Sequence, residues 1–236
     1  MGNMGNLFLI PSIIAAKTTN LVVTPQVLKA VPQIRHFLAE DIRTARRFLA
    51  SLKVYESVEL LSFSILDKDT KEEDLETLFL PLRSGHHIGV LSEAGCPGVA
   101  DPGALAASYA HRAGIRVVPL VGPSAILLAL MASGMSGQHF SFHGYLPVQG
   151  KEAAKVIRDL EKESRLKSQT QIFIETPYRN KALFDNLIKN LGPETQLCVA
   201  ADITGEEEFI LTQPVKKWRA QGVALARNPT VFLFLA

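Results

Sequence analysis

Leu91-Ser92-Glu93-Ala94-Gly95-Cys96-Pro97-Gly98-Val99-Ala100-Asp101-Pro102-Gly103 and, one helix later, Val118-Pro119-Leu120-Val121-Gly122-Pro123-Ser124-Ala125 are two versions of one pattern. Each runs from an apolar strand through a Gly/Pro-rich turn into a helix start, the arrangement by which α/β proteins bring backbone amides close to a ligand. Gly95, Gly98 and Gly103 let the first turn reverse sharply, while Pro97, Pro102 and Pro123 fix φ and stiffen both loops. A stiff, preformed loop loses less entropy when it binds. Ser92, Glu93, Ala94, Gly95 and Cys96 in the first loop, and Gly122, Pro123, Ser124 and Ala125 in the second, are therefore candidate binding residues. Ser124 also stands where an N-cap would open an apolar helix over residues 125–132. Either loop alone is equally well read as an ordinary βα turn.

Outward from these loops, strand and helix patterns alternate. Period-two or short apolar runs predict strands at residues 7–10, 36–39, 62–66, 88–91, 117–120 and 140–143. Helices are expected at 25–31, 43–51, 71–82, 104–112 and 125–132, with Thr24 capping the first and Pro25 in its opening turn. Alternation of this kind predicts a mostly parallel sheet with helices on both faces. After Pro147 the character changes to a charged helix at 151–167, strands at 171–174, 197–201, 209–212 and 231–235, and a helix at 181–191. The expected fold is α/β with two α/β domains, residues 1–147 with a mostly parallel sheet and residues 148–236 with a mixed one. The Pro147 to Gly150 segment marks the boundary.

The chain of 236 residues, 47% hydrophobic, is long enough for a substantial core. Its two cysteines, Cys96 and Cys198, form no disulfide framework and no zinc-ligand spacing. No apolar run approaches membrane-spanning length and the N-terminus carries no leader pattern, so a cytoplasmic protein without a membrane partner is expected. The six histidines show no pairing on a helix face as metal ligands, and structural or surface roles are expected for them, His143 being the least clear. A net charge of +2 does not by itself indicate nucleic acid. Basic residues do cluster at Arg43, Arg46 and Arg47, and along the 151–167 helix, where a solvated face is the simpler reading. Arg43 and Arg47 share a helix face at i,i+4 and are candidates for phosphate contacts.

Other chemistries fit poorly. The segment after residue 10 is Pro-Ser-Ile-Ile-Ala-Ala, not the Gly-x-Gly-x-x-Gly of a dinucleotide site, and no Gly-Lys-Ser/Thr occurs. Gly134-Met135-Ser136-Gly137-Gln138 lacks the second glycine of a nucleophile elbow and reads as a helix C-cap and turn.

The two opening loops resemble the tetrapyrrole methylase superfamily of S-adenosylmethionine-dependent methyltransferases, and within it the ribosomal RNA small-subunit methyltransferase I branch. Ser92 to Pro97 is similar to that branch's Ser-Asp-Ala-Gly-Thr-Pro, and Asp101 to Gly103 to its Asp-Pro-Gly. Gly114 to Leu120 resembles its Gly-Ile-Arg-Val-Val-Pro-Leu run, and Gly122 to Ala125 its Gly-Pro-Ser/Cys-Ala. Further out, Ala39-Glu40-Asp41-Ile42-Arg43, Phe142-His143-Gly144-Tyr145-Leu146-Pro147 and Glu175-Thr176-Pro177-Tyr178-Arg179 resemble its Ala-Glu-Asp-Thr-Arg, Gly-Phe-Leu-Pro and Glu-Ser-x-x-Arg. The chain departs from the pattern where its first loop lacks a glycine, where Glu93 replaces Asp and Cys96 replaces Thr, and where Ala200 to Thr204 stands in place of Ala-Arg-Glu-Leu-Thr.

The resemblance implies S-adenosylmethionine as cofactor, two domains with the cofactor in the cleft between them, no metal, and a homodimer. It places the cofactor against Pro11, Ser92, Glu93, Ala94, Gly95, Cys96, Gly122, Pro123, Ser124, Ala125, Ala201 and Thr230. With ribosomal RNA or the small ribosomal subunit as substrate, Arg43, Tyr145, Tyr178 and Arg179 become the substrate-binding candidates. If the acceptor is a ribose 2′-hydroxyl, Glu40, Asp41 and Glu175 are candidates to take its proton. For Glu40 and Asp41 a helix-start role is the equal alternative. A methylase of a tetrapyrrole or another small molecule, and a non-catalytic binding relative with an altered first loop, remain as alternative functions.

Overall fold

The computed structural model describes residues 4–222 and 227–236. Its elements in chain order begin β1 (Leu7–Ile10), α1 (Thr19–Val22), α2 (Pro25–Ala30), β2 (His36–Ala39), α3 (Ile42–Leu52), β3 (Ser62–Ile65), α4 (Glu72–Leu78) and α5 (Leu80–Arg83). They continue with β4 (Ile88–Leu91), α6 (Gly103–Arg112), β5 (Val117–Pro119), α7 (Ala125–Ser133), β6 (Phe140–Phe142), α8 (Gly150–Lys167) and β7 (Thr170–Glu175). The chain ends with α9 (Asn180–Asn190), β8 (Gln196–Ala201), β9 (Phe209–Pro214), α10 (Val215–Gln221) and β10 (Thr230–Leu235). It divides into two compact units, one ending at Ser124 and the other spanning Ala125–Ala236.

In the first unit five parallel strands lie in the order β3-β2-β4-β1-β5. Alternation sends Leu7, Leu38, Ile88 and Val90 into a core with Leu75, Phe79, Ala106 and Ala110, and Phe8, Ile10 and Phe37 into another with Val27, Phe48 and Leu49. Both faces are thus covered, as a parallel sheet requires. Pro119 sits on the edge strand β5, where a missing amide costs no ladder bond. Because Ile10, Ala39 and Leu91 lie side by side in register, the loops after β1, β2 and β4 leave the sheet at the same end.

Local chemistry explains the helix limits. Thr24 Oγ1 accepts from the Val27 amide and Pro25 opens α2, as the sequence predicts. In α3 Ala45, Phe48, Leu49 and Leu52 form the buried stripe at helical spacing. The single helix expected over 71–82 is two: Pro81 lies in the first turn of α5 and cannot continue the ladder of α4, so the chain steps at Phe79.

The second unit holds a mixed sheet, β6-β7-β10-β8-β9, parallel only between β6 and β7. One face packs Phe173, Leu197, Val199, Phe232 and Phe234 against Ile157, Phe184 and Trp218. The other packs Ile172, Cys198, Ala200, Val231 and Leu233 against Ala129 and Leu130 of α7. The units therefore part at Ser124, ahead of the Pro147 to Gly150 segment: α7 covers the second sheet and β6 extends it, with Phe140 opposite Thr170. Gly134 follows α7 at φ 72°, the C-terminal turn expected there. Helix α10 has no counterpart in the sequence reading; it buries Trp218, whose indole N–H donates to the Leu197 carbonyl at 2.8 Å. Among the described residues no helix is long and apolar enough to cross a membrane.

Candidate active site

In the first unit the β1 and β4 loops are joined. The Ser12 amide donates to the Gly95 carbonyl at 2.9 Å and the Ser12 hydroxyl to the Ser92 carbonyl at 3.2 Å. The Ser92 hydroxyl in turn faces the Ala94 and Gly95 carbonyls, both at 3.2 Å. Gly95 holds φ 73°, where a side chain is strained, and a Cβ there would lie 3.4 Å from the Pro123 carbonyl. Cys96 Sγ reaches that same carbonyl at 3.3 Å. The β5 loop is fixed from the other side, where Gln26 Oε1 accepts from the Val121 amide at 2.9 Å and Thr24 donates to the Val121 carbonyl at 3.1 Å.

Gly122 has a packing duty that its sequence context does not show. A Cβ there would run into the Pro11 ring, so close contact between two loops excludes a side chain. Ser124 closes the first unit and Ala125 opens α7 in the second. Beyond Cys96, the Asp101 carboxylate accepts from the Gly98 amide and, at 2.8 Å, from the Gly103 amide, stapling the turn before α6. Sequence reasoning quoted the Asp-Pro-Gly run without giving Asp101 or Ser12 a role. The signal for Asp101 was an Asx residue between glycines.

The two acidic residues after β2 part company. Asp41 is exposed and caps α3, its Oδ1 2.5 Å from the Thr44 amide, and that bond holds its carboxyl below the usual carboxylate range. Glu40 is partly buried, and burial first, then the charges of Glu93, Asp101 and Asp67, push its carboxyl upward; Lys68 opposes them. A carboxylate kept reluctant to ionise in this way is a stronger proton acceptor than an ordinary surface glutamate. Arg43 and Arg47 both attract Asp41, whereas Arg46 turns aside over the Phe63 ring at 5.2 Å.

The second unit gathers another set at one end of its sheet. Thr230 stands opposite Glu175 on one side and Ala201 on the other. The Glu175 carboxylate is buried and takes a two-point bond from Arg179, Nε at 2.9 Å and Nη2 at 2.6 Å, plus the Thr176 amide at 2.7 Å. With those bonds made, Glu175 anchors Arg179. Two residues of this unit that sequence reasoning left without a role carry unpartnered buried groups. Asn180 Nδ2 donates to the Asn228 carbonyl at 2.7 Å and to Thr230 Oγ1 at 2.9 Å, and its Oδ1 is buried without a partner. The Thr204 hydroxyl is likewise buried and unpartnered. Tyr178 is 81% exposed with Arg227 5.5 Å above its ring, and Tyr145 is exposed in the loop after β6. His143 is engaged structurally, its Nε2 2.6 Å from buried Gln171 Oε1 and its ring stacked on Phe173.

Residues 14–218 match the family described as Tetrapyrrole (Corrin/Porphyrin) Methylases. The chain is 31% identical over 193 residues to "Ribosomal RNA small subunit methyltransferase I" of Vibrio cholerae, covering 82% of this chain and 64% of that protein. It is 31% identical over 217 residues to the protein of the same name from Pasteurella multocida, covering 92% and 74%. The chain thus spans about two thirds of the length of these curated relatives. Among solved structures it is similar to the methyltransferase CobJ, with a TM-score of 0.63 at 18% identity, over 98% of this chain and 94% of that one. That likeness concerns the fold.

Proposed function

Because the chain belongs to the tetrapyrrole methylase family, we propose that it is an S-adenosylmethionine-dependent methyltransferase acting on a ribose 2′-hydroxyl of small-subunit ribosomal RNA. The observation that carries the reading is the match over 82% and 92% of the chain to proteins named for ribosomal RNA methylation. The solved methyltransferase CobJ shares the fold at only 18% identity.

When bound, the cofactor supplies a methyl group already activated on sulfur, so the chain's task is chiefly alignment. The residues present suit such a cofactor. In the first unit Ser92, Glu93, Ala94, Gly95, Cys96 and Pro123 offer carbonyls, a carboxylate and a glycine cradle, with Pro11 and Gly122 bracing the loops. In the second, Thr230 pairs opposite Ala201 and accepts from Asn180 Nδ2, and the unpartnered Asn180 Oδ1 is an acceptor suited to an adenine amine. Glu40 accepts the proton of the acceptor hydroxyl. Asp41, by capping α3, fixes the turn that follows Glu40, and Glu175 fixes Arg179. Arg43 and Arg179 meet phosphates, and Tyr145 and Tyr178 offer rings to unstacked bases. The reading includes a homodimer in the cytoplasm, where two free thiols stay reduced.

Two assays test it in sequence. Calorimetric titration with S-adenosylmethionine and S-adenosylhomocysteine is expected to show micromolar binding. Transfer of labelled methyl is then expected to small-subunit ribosomal RNA and not to a porphyrinoid acceptor. Labelled porphyrinoid with unlabelled RNA would overturn the acceptor, and no binding of either cofactor form would overturn the enzyme.

A further inference from the structure

A cavity of about 290 Å³ opens in the first unit between the segment after β1 and the Thr44 to Ser51 stretch of α3, reaching Leu91 and Ser92 at the end of β4. We propose that it is a phosphate subsite for single-stranded RNA, with Lys17 and Arg47 as the residues that hold the phosphodiester. This deepens the RNA reading above and rests on it.

The rim, rather than the largely apolar wall, suits an anion. Ile13, Phe48 and Leu91 give the cavity an apolar floor, and the polar rim is Lys17, Thr19, Thr44, Arg47, Ser51 and Glu93. The hydroxyl donors on that rim are already committed. Ser51 donates to the Phe48 carbonyl at 2.7 Å, which makes Thr19 the donor in its 3.1 Å contact with Ser51. The Thr44 hydroxyl bonds the Asp41 side chain and accepts from Arg47 Nη2 at 3.3 Å. What remains to greet a ligand is the Lys17 ammonium and the rest of the Arg47 guanidinium. Among the described residues neither joins a salt bridge. Lys17 and Arg47 stand with one carboxylate, Glu93, in the lining itself, and Asp41 attracts Arg47 from the start of α3, where Arg43 offsets it.

The backbone presents Lys17 deliberately. Its φ is 64°, a left-handed conformation that lysine does not prefer. The buried Thr18 beside it holds the turn, donating its hydroxyl to the Ala15 carbonyl at 2.7 Å while its own carbonyl accepts from Leu21 and Val22. Arg47 is fixed from the helix by Thr44. A phosphate between them lies near the Ser92 loop and the capped start of α3, on the same end of the sheet as Glu40.

The test uses the intact protein and a labelled short single-stranded RNA, with binding followed by fluorescence anisotropy over a range of salt. The variants are Lys17→Asn, which tolerates the left-handed backbone, Arg47→Gln, which keeps the helix, and both together. Each single change is expected to weaken RNA binding about threefold to tenfold and to reduce the slope of log affinity against log salt by about 0.7. S-adenosylmethionine affinity should stay unchanged, and Lys167→Gln on α8 should alter neither quantity. If the wild type binds and methylates RNA while the double variant keeps its affinity and salt slope, the subsite is wrong and the RNA reading stands. If the wild type neither binds nor methylates RNA, the RNA reading falls and the subsite with it. Loss of inorganic phosphate competition in the double variant, with RNA binding intact, would assign the cavity to a free phosphate and overturn the RNA source.

Discussion

Pro11 and Gly122 are packed so that a Cβ added to Gly122 would stand 2.2 Å from Pro11 Cβ and 2.5 Å from its Cγ. The first loop of this chain has no glycine, and here the glycine lies on the opposing loop, leaving room for the ring. A proline ring cannot rotate away as a flexible side chain would. Gly122→Ala is therefore expected to lose about 1–3 kcal/mol of stability through overpacking. Urea denaturation measures it, and Pro11→Gly in the same chain should recover much of the loss, giving a coupling of about 0.5 kcal/mol or more in the double-mutant cycle. Additive effects would mean that the two loops can separate freely.

Glu40 should make the fold and the reaction depend on pH in a defined sense. Its carboxyl is raised in the folded protein by burial and by Glu93, Asp101 and Asp67, so the folded state holds this proton more tightly than the unfolded chain. Stability linked to the group is then fully present below the unfolded value of 4.5 and is lost as pH rises through the higher folded value. Glu40→Gln is expected to be more stable than the wild type at neutral pH, with the difference vanishing below the unfolded value. The same substitution should abolish the rise of methyl-transfer rate with pH on the acid side. A variant that keeps the wild-type acid limb would remove Glu40 as the proton acceptor.

Asp101→Asn separates two duties of one carboxylate. An amide oxygen can still accept from the Gly98 and Gly103 amides, so the staple survives, but the negative charge beside Glu40 is gone. Glu40 should then ionise more readily and the acid limb of the rate profile should move to lower pH, with little change in stability. A fixed limb would mean that the Asp101 charge does not set the Glu40 proton affinity, leaving burial, Glu93 and Asp67.

Much of the fold was legible because short-range physics set it. Leu7, Phe8 and Ile10 alternate between two cores as their period-two pattern predicts, and Thr24 caps the helix its spacing announces. The allegiance of α7 was not legible, since a run of apolar residues does not state which sheet it covers. Helix α10 was missed because seven residues give little periodicity, and Val215 and Trp218 were its sole apolar signal at helical spacing. Loop composition pointed to the turn at Gly95 and Cys96, and the structure has Gly95 at φ 73° with both residues packed on the Pro123 carbonyl. Ser12 against Gly95 and Asn180 against Asn228 join positions far apart in sequence, so no local pattern points to them.

The sequence names Glu175 and Arg179 for separate roles, and the pair they form takes its direction of influence from burial. The Glu175 side chain is 5% exposed and that of Arg179 is 32% exposed, so the carboxylate is the group that suffers when the pair is broken. Arg179→Ala leaves it with the Thr176 amide alone and is expected to cost about 2–4 kcal/mol in urea denaturation. Arg179→Lys keeps the charge without the two-point fork and should lose less stability while still weakening RNA binding. Glu175→Gln is expected to lower the rate through a looser Arg179 and to leave the pH profile unchanged. Loss of the acid limb in that variant, rather than in Glu40→Gln, would transfer the proton-accepting role from the first unit to the second.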